Sequence, residues 1–217
     1  MCMAVEAVIW DFGGVFTSSP FEAFNRYEAA HGLPHDLVRT VNRTNPHTNA
    51  WALFESAQID AAGFDTLFLE ESTAIGHPLR GAEVLPLISG QVRPAMVEAL
   101  KACKARFKVG CITNNMATGQ GASMAATVEG ASATAAIFPL FDAIIESSKA
   151  GVRKPDPRIY LMMCERLAVK PQACIYLDDL GINCKPAAAL GMTAIKVTGE
   201  TQALDDLERA TGLRFAR

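Results

Sequence analysis

Side chains with carboxylate, hydroxyl, amide and ammonium groups follow short apolar segments at widely separated points of this sequence. The residues concerned are Asp11, Thr113, Asn114, Lys154, Asp178 and Asp179. Three carboxylates gathered in one place would repel each other and would be costly to bury unless cations neutralise them. One lysine is not enough for that, and a site made only of oxygen ligands suits Mg²⁺, so we expect a magnesium ion as cofactor.

Such a set of groups is able to transfer a phosphoryl group. An aspartate attacks phosphorus, a metal ion and a lysine take up charge on the phosphoryl oxygens, and hydroxyl and amide donors hold the group in line. Water then hydrolyses the aspartyl phosphate. Taken singly, each residue also has an ordinary structural interpretation, because an aspartate after a strand often caps a helix and a lone lysine is usually solvated. The functional interpretation depends on their joint occurrence.

Short apolar runs predict buried strands, each followed by a turn and a helical pattern. The predicted strands are Val5–Trp10, Lys108–Ile112, Ala173–Leu177 and Thr193–Val197, with Ala143–Glu146 as a weaker fifth. Helices are predicted over Arg93–Ala105, Asp156–Leu167 and Asn183–Leu190. This alternation predicts an α/β fold with a doubly wound, Rossmann-like parallel sheet. Such sheets bind ligands at the carboxyl ends of their strands, where the polar residues can converge on one crevice.

Between residues 18 and 89 the strand pattern gives way to apolar residues at helical spacing. The segments Phe21–His31, Asp36–Val41, Ala50–Ala57 and Ala62–Ile75 predict a small α-helical cap domain inserted after the first strand. Residues 1–17 and 90–217 then form the core domain. A further irregular segment, residues 117–136, is rich in Ala, Gly, Ser and Thr and predicts a mobile loop with a weak helix.

The composition is that of a compact globular protein acting on small molecules. The chain has 217 residues and a formal net charge of −3, with scattered basic residues, which gives no reason to expect nucleic acid as a partner. No segment reaches membrane-spanning length and no signal peptide is recognised, so we expect a cytoplasmic protein that does not bind membranes. The six cysteines lack CxxC spacing and predict free thiols. The oligomeric state stays open.

The order and spacing of the polar motifs resemble those of the haloacid dehalogenase superfamily of hydrolases. The matching segments are VIWDFGGV, CITNN, RKPDPRIY and YLDDLGINCKPAAALGM. The last segment and the TNN turn look like the branch that contains the phosphatase domain of soluble epoxide hydrolases. The resemblance covers residues 1–17 and about 90–217, and the helical insertion occupies the place of that family's first cap domain.

The resemblance implies the residues that react and those that hold the metal ion. Asp11 would be the nucleophile and a Mg²⁺ ligand. The backbone carbonyl of Gly13 and the carboxylate of Asp179 would be further ligands of that ion. Lys154 would neutralise the phosphoryl oxygens and orient Asp11.

The resemblance also implies residues that bind phosphate or support the site. Thr113 and the backbone of Asn114 would bind the phosphate group. Asp178 would support Lys154 or a metal-bound water. Asn183 would either join this supporting set or cap the helix that follows.

Gly13 departs from the pattern of the family. Phosphatases of the superfamily usually carry a second aspartate two residues after the nucleophile, which protonates the leaving oxygen and then activates water. Glycine keeps the backbone carbonyl and loses this proton relay, which typically contributes ~10²–10⁴-fold to the rate. Relatives that share the DxGxV form include sugar-phosphate phosphatases, and this favours a phosphatase that works slowly or obtains its acid elsewhere.

Other functions remain open beside the phosphatase. A phosphate-binding module that has lost catalysis is the second candidate. A metal-independent 2-haloacid dehalogenase is less favoured because Asp178 and Asp179 are retained. Phosphonate hydrolysis is disfavoured because that chemistry needs a lysine in the cap, and residues 1–100 contain none.

The predicted cap domain would cover the crevice and select a small phosphorylated metabolite. Its polar candidates for substrate contact are Arg26, Arg39, Arg43, Asn45 and His47. The segment NRTNPHTN, residues 42–49, suits either a substrate loop or an ordinary helix connection. Large apolar residues predict either the hydrophobic core of the cap or its seam with the core domain, with an aromatic platform for the substrate as a less favoured alternative; they are Trp51, Phe54, Phe64, Leu67 and Phe68.

Overall fold

A five-stranded parallel sheet forms the centre of the protein. The computed structural model describes residues 4–88, 90–114 and 134–215. The strands are β1 (Ala7–Trp10), β2 (Lys108–Thr113), β3 (Ala143–Glu146), β4 (Cys174–Asp178) and β5 (Thr193–Lys196). Their order in space is β3-β2-β1-β4-β5, and every neighbouring pair is parallel. The predicted α/β fold with a doubly wound parallel sheet is confirmed.

β1 is the central strand, and its register aligns the strand ends that carry polar residues. Trp10 lies opposite Cys111 of β2 and Leu177 of β4. The backbone N–H of Asp11 continues this pairing by donating to the carbonyl of Leu177 at 2.8 Å. The residues that follow these positions therefore emerge at one edge of the sheet, where doubly wound folds bind ligands.

Besides three short 3-10 helices at Leu85–Ile88, Phe138–Leu140 and Pro171–Ala173, ten α-helices have their bounds within the described ranges. They are α1 (Pro20–Ala30), α2 (Leu37–Arg43), α3 (Ala50–Glu55), α4 (Ala61–Ala74), α5 (Gly81–Val84), α6 (Pro94–Lys104), α7 (Ser147–Ala150), α8 (Pro157–Leu167), α9 (Gly181–Ala189) and α10 (Glu200–Thr211). Side chains alternate along β1, so Val8 and Trp10 pack with α6 and α10, whereas Ala7 and Ile9 pack with α8 and α9. All four are fully buried, as expected for a strand enclosed on both faces.

The predicted strands and helices agree with the observed ones to within two residues at each end. No helix was predicted at α5, α7 and α10. The first two have only four residues each, which is too short for a periodic signal. α10 buries Ala203, Leu204 and Leu207, and this helical spacing was detectable in the sequence. The predicted irregular segment 117–136 lies outside the described residues except for residues 134–136.

The first five helices, called here the cap helices, share a hydrophobic cluster of their own. Phe54, Phe64 and Phe68 are fully buried in it, and the Phe54 and Phe64 rings stack with their centroids 5.0 Å apart. Asn49 caps α3 by accepting a hydrogen bond from the backbone N–H of Ala52 at 2.9 Å. Of the predicted placements, Phe54, Phe64 and Phe68 take the one inside the cap cluster, whereas Trp51 belongs to this cluster and also lines the crevice described below. The division into cap and core domains at residues 17 and 90 stays a prediction.

Two extended segments connect the cap helices with the sheet, and they pair with each other. Thr17 forms an antiparallel bridge with Val92, and the backbone N–H of Ser18 donates to the carbonyl of Gln91 at 2.8 Å. The side chain of Ser18 accepts from the backbone N–H of Gln91 at 3.1 Å. The chain therefore leaves and re-enters the core through one short paired connection.

The predicted free thiols are confirmed for the five cysteines within the described ranges. Cys103, Cys111, Cys164, Cys174 and Cys184 are all buried and unbridged. None of the helices in the described residues combines the length and the hydropathy that a membrane span requires.

We expect a Gly81→Ala variant to unfold more easily than the parent protein. A methyl group on Gly81 would lie 2.8 Å from the Phe64 ring and from the Asp65 backbone, so α4 and α5 would have to separate. Overpacking of this kind costs about 1–3 kcal/mol, measurable by urea denaturation. Gly181→Ala is the matched control, since Gly181 also begins a helix and its added methyl would make only ordinary contacts at 3.7 Å. Equal stability of the two variants would contradict the close packing of Gly81 against Phe64 and Asp65.

Candidate active site

The sheet edge brings the carboxylates from β1 and β4 together. Asp11 directly follows β1, Asp178 is the last residue of β4, and Asp179 comes next. One carboxylate oxygen from each of the three lies within 4.8 Å of the others. Residues that are far apart along the chain thus form one cluster, as their positions after strands predict.

Lys154 is buried between two of these carboxylates. Only 1% of its side chain is exposed, and Nζ lies 2.7 Å from Oδ1 of Asp11 and 2.8 Å from Oδ2 of Asp178. Burial by itself lowers the pKa of Lys154, but the two carboxylates outweigh it and raise the pKa above its usual value. The ammonium therefore stays charged and fixes the separation of Asp11 and Asp178.

Asp178 is saturated with hydrogen bonds from its surroundings. Besides Lys154, its carboxylate accepts from the hydroxyl of Tyr176, from the backbone N–H of Leu180 at 2.8 Å, and from Nδ2 of Asn183 at 3.0 and 3.1 Å. Asn183 lies inside α9 rather than at its N-cap. The carboxylate is held in place on all sides, which suits a residue that orients Lys154.

Asp11 and Asp179 keep bonding capacity on the side of the crevice. Oδ1 of Asp11 accepts from Lys154 and from the backbone N–H of Phe12 at 2.6 Å, whereas Oδ2 accepts no hydrogen bond from the described residues. Asp179 accepts only a long hydrogen bond from Oγ of Ser19, at 3.4 Å, among side chains of the described residues. One oxygen of each carboxylate is thus available to a ligand.

The cluster holds more negative charge than Lys154 compensates. Burial raises the pKa of Asp11 well above its ordinary value, with Lys154 opposing and the charges of Asp178 and Asp179 adding to the rise. Burial and the charge of Asp178 also raise the pKa of Asp179, to about 6. A further cation would relieve this repulsion, and carboxylate oxygens are the ligands that Mg²⁺ prefers. The donor set therefore fits a magnesium ion.

Two adjacent glycines follow the first strand, and they differ in what surrounds them. A methyl group on Gly14 would collide with the carboxylate of Asp179, and its φ of +71° disfavours other residues. At Gly13 the same methyl would meet nothing within 4 Å, and the residue is exposed. Gly14 is required by the packing of Asp179, whereas Gly13 leaves open space at the edge of the crevice.

Thr113 and Asn114 lie at the end of β2. Thr113 is buried and borders the crevice beside Asp11. The Asn114 side chain is used internally, since its Oδ1 accepts from the backbone N–H of Lys154 at 2.9 Å and its Nδ2 donates to the Lys154 carbonyl at 3.1 Å. Only the backbone of Asn114 is therefore free to meet a ligand. Asn115, the next residue of the motif, lies outside the described residues.

A crevice of about 800 Å³ separates the cap helices from the sheet edge. Its size suits an organic molecule of the small-metabolite or drug class. Three of the predicted substrate contacts, Arg39, Arg43 and His47, border it, whereas Arg26 and Asn45 do not. The segment 42–49 fits both of its predicted roles, the helix connection and the substrate loop. Asn49 caps α3, and several residues of the segment line the crevice.

The crevice also contains residues that the sequence did not single out. They are Ser19, Glu55, Arg93, Arg153 and Lys196. Arg93 donates to the carbonyl of Gly14 at 2.9 Å and so braces the turn after β1. Arg153 adjoins Lys154 in the motif and was detectable on that ground. Glu55 ends α3, and no local pattern distinguishes it from other polar residues on helices.

Comparisons with known proteins place this geometry in a family. The model of the haloacid dehalogenase-like hydrolases matches residues 5–191. The chain is 32% identical to phosphatase MT3486 of Mycobacterium tuberculosis over 95% of its own length and 94% of that protein. It is 30% identical to bifunctional epoxide hydrolase 2 of Mus musculus over 98% of its own length. It spans only 40% of that relative, which is a much longer protein.

Solved structures of low sequence identity share the fold. A haloacid dehalogenase family enzyme of Bacteroides thetaiotaomicron, solved in complex with magnesium and inorganic phosphate, superposes with a TM-score of 0.58 at 17% identity. The superposition covers 91% of this chain and 96% of that enzyme. The suspected resemblance in sequence is thus confirmed by the family match and by the fold.

We expect Lys154→Met to destabilise the protein strongly, because it leaves Asp11 and Asp178 buried without their shared cation. Removing one partner of a buried ion pair costs about 3–5 kcal/mol, measurable as the free energy of unfolding in urea. Lys101→Met is the control, since Lys101 pairs with Glu98 at the surface, where the two side chains are 50% and 57% exposed. That change should cost less than about 1 kcal/mol. A Lys154→Met protein as stable as the control would disprove the buried pairing.

Proposed function

This chain belongs to the haloacid dehalogenase-like hydrolase family, and on that premise we propose that it is a Mg²⁺-dependent phosphatase acting on a small phosphorylated metabolite. The proposal includes an aspartyl phosphate on Asp11 as the intermediate. The relationship to a protein named as a phosphatase supports it. The single observation that carries it is the carboxylate of Asp11, which lines a metabolite-sized crevice, keeps Oδ2 free of hydrogen bonds from the described residues, and lies near Lys154 and a second available carboxylate, Asp179.

The residues around Asp11 support its role as the nucleophile. Lys154 and the N–H of Phe12 both bind Oδ1, so they fix the carboxylate and leave Oδ2 for the attack on phosphorus. The bond from Oδ2 to phosphorus forms as the bond from phosphorus to the leaving oxygen breaks, and that oxygen takes up a proton from a water molecule in the crevice. A second water then cleaves the acyl phosphate, which releases phosphate and regenerates Asp11. Because Lys154 is buried and charged, it also lowers the energy of the negative phosphoryl group.

The remaining roles follow the same geometry. We propose that Thr113 and the backbone of Asn114 bind phosphoryl oxygens, and that Asp178 and Asn183 keep Lys154 in position. Asp11, Asp179 and the carbonyl of Gly13 would hold Mg²⁺. When bound, this ion supplies charge neutralisation of the phosphoryl oxygens.

The loss of an acid at position 13 favours a second candidate, a phosphate-binding module without turnover. The open space beside Gly13 marks the place where an acid/base side chain would fit, and no carboxylate occupies it within the described residues. Such a protein would bind phosphate through Lys154 and Thr113 and leave esters intact. A metal-independent dehalogenase is less consistent with Asp179, whose carboxylate has no partner in that chemistry.

Phosphate release from a panel of sugar phosphates, nucleotides, acyl phosphates and lipid phosphates tests the function. We expect release from at least one class in the presence of Mg²⁺, abolition by EDTA, and a loss of about 10³-fold or more in Asp11→Asn. Equal release by both proteins would remove Asp11 from the mechanism. No release, with phosphate or vanadate still bound, would establish the binding module instead. Halide release from 2-haloacids without metal would identify a dehalogenase.

Restoring a carboxylate at position 13 should raise activity. The side chain of Gly13→Asp enters open space and supplies a proton donor near the leaving oxygen, so we expect kcat to increase about 10-fold or more. Gly14→Asp is the contrasting variant, because its side chain would collide with Asp179 and should abolish Mg²⁺-dependent activity. Both are measured by steady-state kinetics on the best substrate. A decrease of kcat in Gly13→Asp would refute the missing-relay explanation.

A further inference from the structure

One acidic residue of the cap helices reaches the polar motifs of the core. Glu55, the last residue of α3, forms an ion pair with Arg153, and its Oε2 also accepts from Nδ2 of Asn114 at 3.4 Å. Its backbone carbonyl accepts from the hydroxyl of Ser147 at 2.7 Å. Side chain and main chain of Glu55 thus both bind the core.

The partners of Glu55 hold the backbone of Lys154 from two sides. Arg153 is the residue directly before Lys154. Asn114 accepts from the Lys154 N–H at 2.9 Å and donates to the Lys154 carbonyl at 3.1 Å, so it clamps this peptide segment to the end of β2. Glu55 is therefore one contact away from the lysine that binds Asp11.

The ion pair lies in a largely buried setting at the crevice. The side chains of Glu55 and Arg153 are 17% and 24% exposed. Arg153 also donates to the carbonyl of Pro46 at 3.1 Å, in the loop between α2 and α3. Burial raises the pKa of Glu55 and Arg153 opposes this rise, so the carboxylate depends on its partner. Both residues lose these contacts if α3 moves away from the core.

The two linkers between the cap helices and the core do not take part in the contacts of Glu55 with Arg153 and Asn114. The paired linkers at Ser18 and Gln91 attach the cap helices through the chain itself. Glu55 belongs to α3, far from both linkers in sequence, and its bonds to Arg153 and Asn114 form only when α3 is docked. The position of α3 on the core is therefore linked, through Asn114 and Arg153, to the backbone of Lys154.

We propose that Glu55 is a positioning residue, through which docking of α3 fixes Asn114 and Arg153 and thereby places Lys154 against Asp11. This inference rests on the proposed function, in which Lys154 orients the nucleophile. Glu55 would thereby affect turnover although it does not contact the reacting atoms. Substrate that fills the crevice while α3 is docked would meet a completed site.

Glu55→Gln tests the proposal by a split between kinetic constants and by hydrogen exchange. We expect kcat to fall about 10-fold while KM changes less than about 3-fold, because a misplaced Lys154 affects the reaction more than binding. The Lys154 amide, which Asn114 protects, should exchange about 10-fold faster with deuterium. Glu70→Gln, an exposed glutamate of the cap helices, is the matched control and should change neither quantity.

Further variants separate positioning from a general loss of stability. Glu55→Asp should recover part of kcat, and in Glu55→Gln/Arg153→Gln the loss should be smaller than the product of the single losses, because the two residues act together. A lower melting temperature with unchanged kcat and unchanged Lys154 exchange would show a merely structural ion pair and overturn the proposal. If the parent protein releases no phosphate, the proposed function fails, and exchange at Lys154 still decides whether Glu55 controls this segment.

Discussion

The buried ammonium of Lys154 between Asp11 and Asp178 is the interaction on which the site depends. It joins the end of β1 to the end of β4 through a residue from a third segment, at distances of 2.7 and 2.8 Å. One positive charge does not balance the three carboxylates gathered there, so the fold retains an excess of negative charge at the sheet edge. Burial, together with that excess, raises the pKa of Asp11 and Asp179, and a divalent cation at this edge would relieve the repulsion.

The parts of the site that local patterns encode were predictable from the sequence. Apolar runs of four to six residues mark the strands, of which β1 and β4 are buried along their whole length. The residue after each run must lie at the same edge of a parallel sheet. The contacts between distant side chains were not predictable. Tyr176 looks like an ordinary apolar strand residue until its hydroxyl is found on Asp178. Nothing in the sequence indicates that the side-chain amide of Asn114 binds the backbone of Lys154.

The two glycines after β1 show how packing distinguishes residues that look alike in a sequence. Gly14 is fixed by its positive φ and by the carboxylate of Asp179, which occupies the space of a side chain. Gly13 has neither constraint, so its lack of a side chain is a chemical feature and not a requirement of the fold. The sequence alone does not distinguish Gly13 from Gly14. The structure shows that the packing of Asp179 requires Gly14, whereas no neighbouring atom restricts Gly13.

Basic side chains line the crevice on the side of the cap helices, although the whole chain carries a net negative charge. The chain carries a formal net charge of −3, whereas Arg39, Arg43 and His47 face the crevice from α2 and the loop that follows it. The opposite face of α2 buries Leu37, Val38 and Val41 in the hydrophobic cluster of the cap helices. One face of this helix therefore packs against its neighbours while the other lines the crevice. Because α3 ends at Glu55, the helices that shape this basic wall also carry the carboxylate bound to Arg153. Under the proposed function, selection of an anionic substrate and placement of Lys154 would thus depend on the same arrangement of helices.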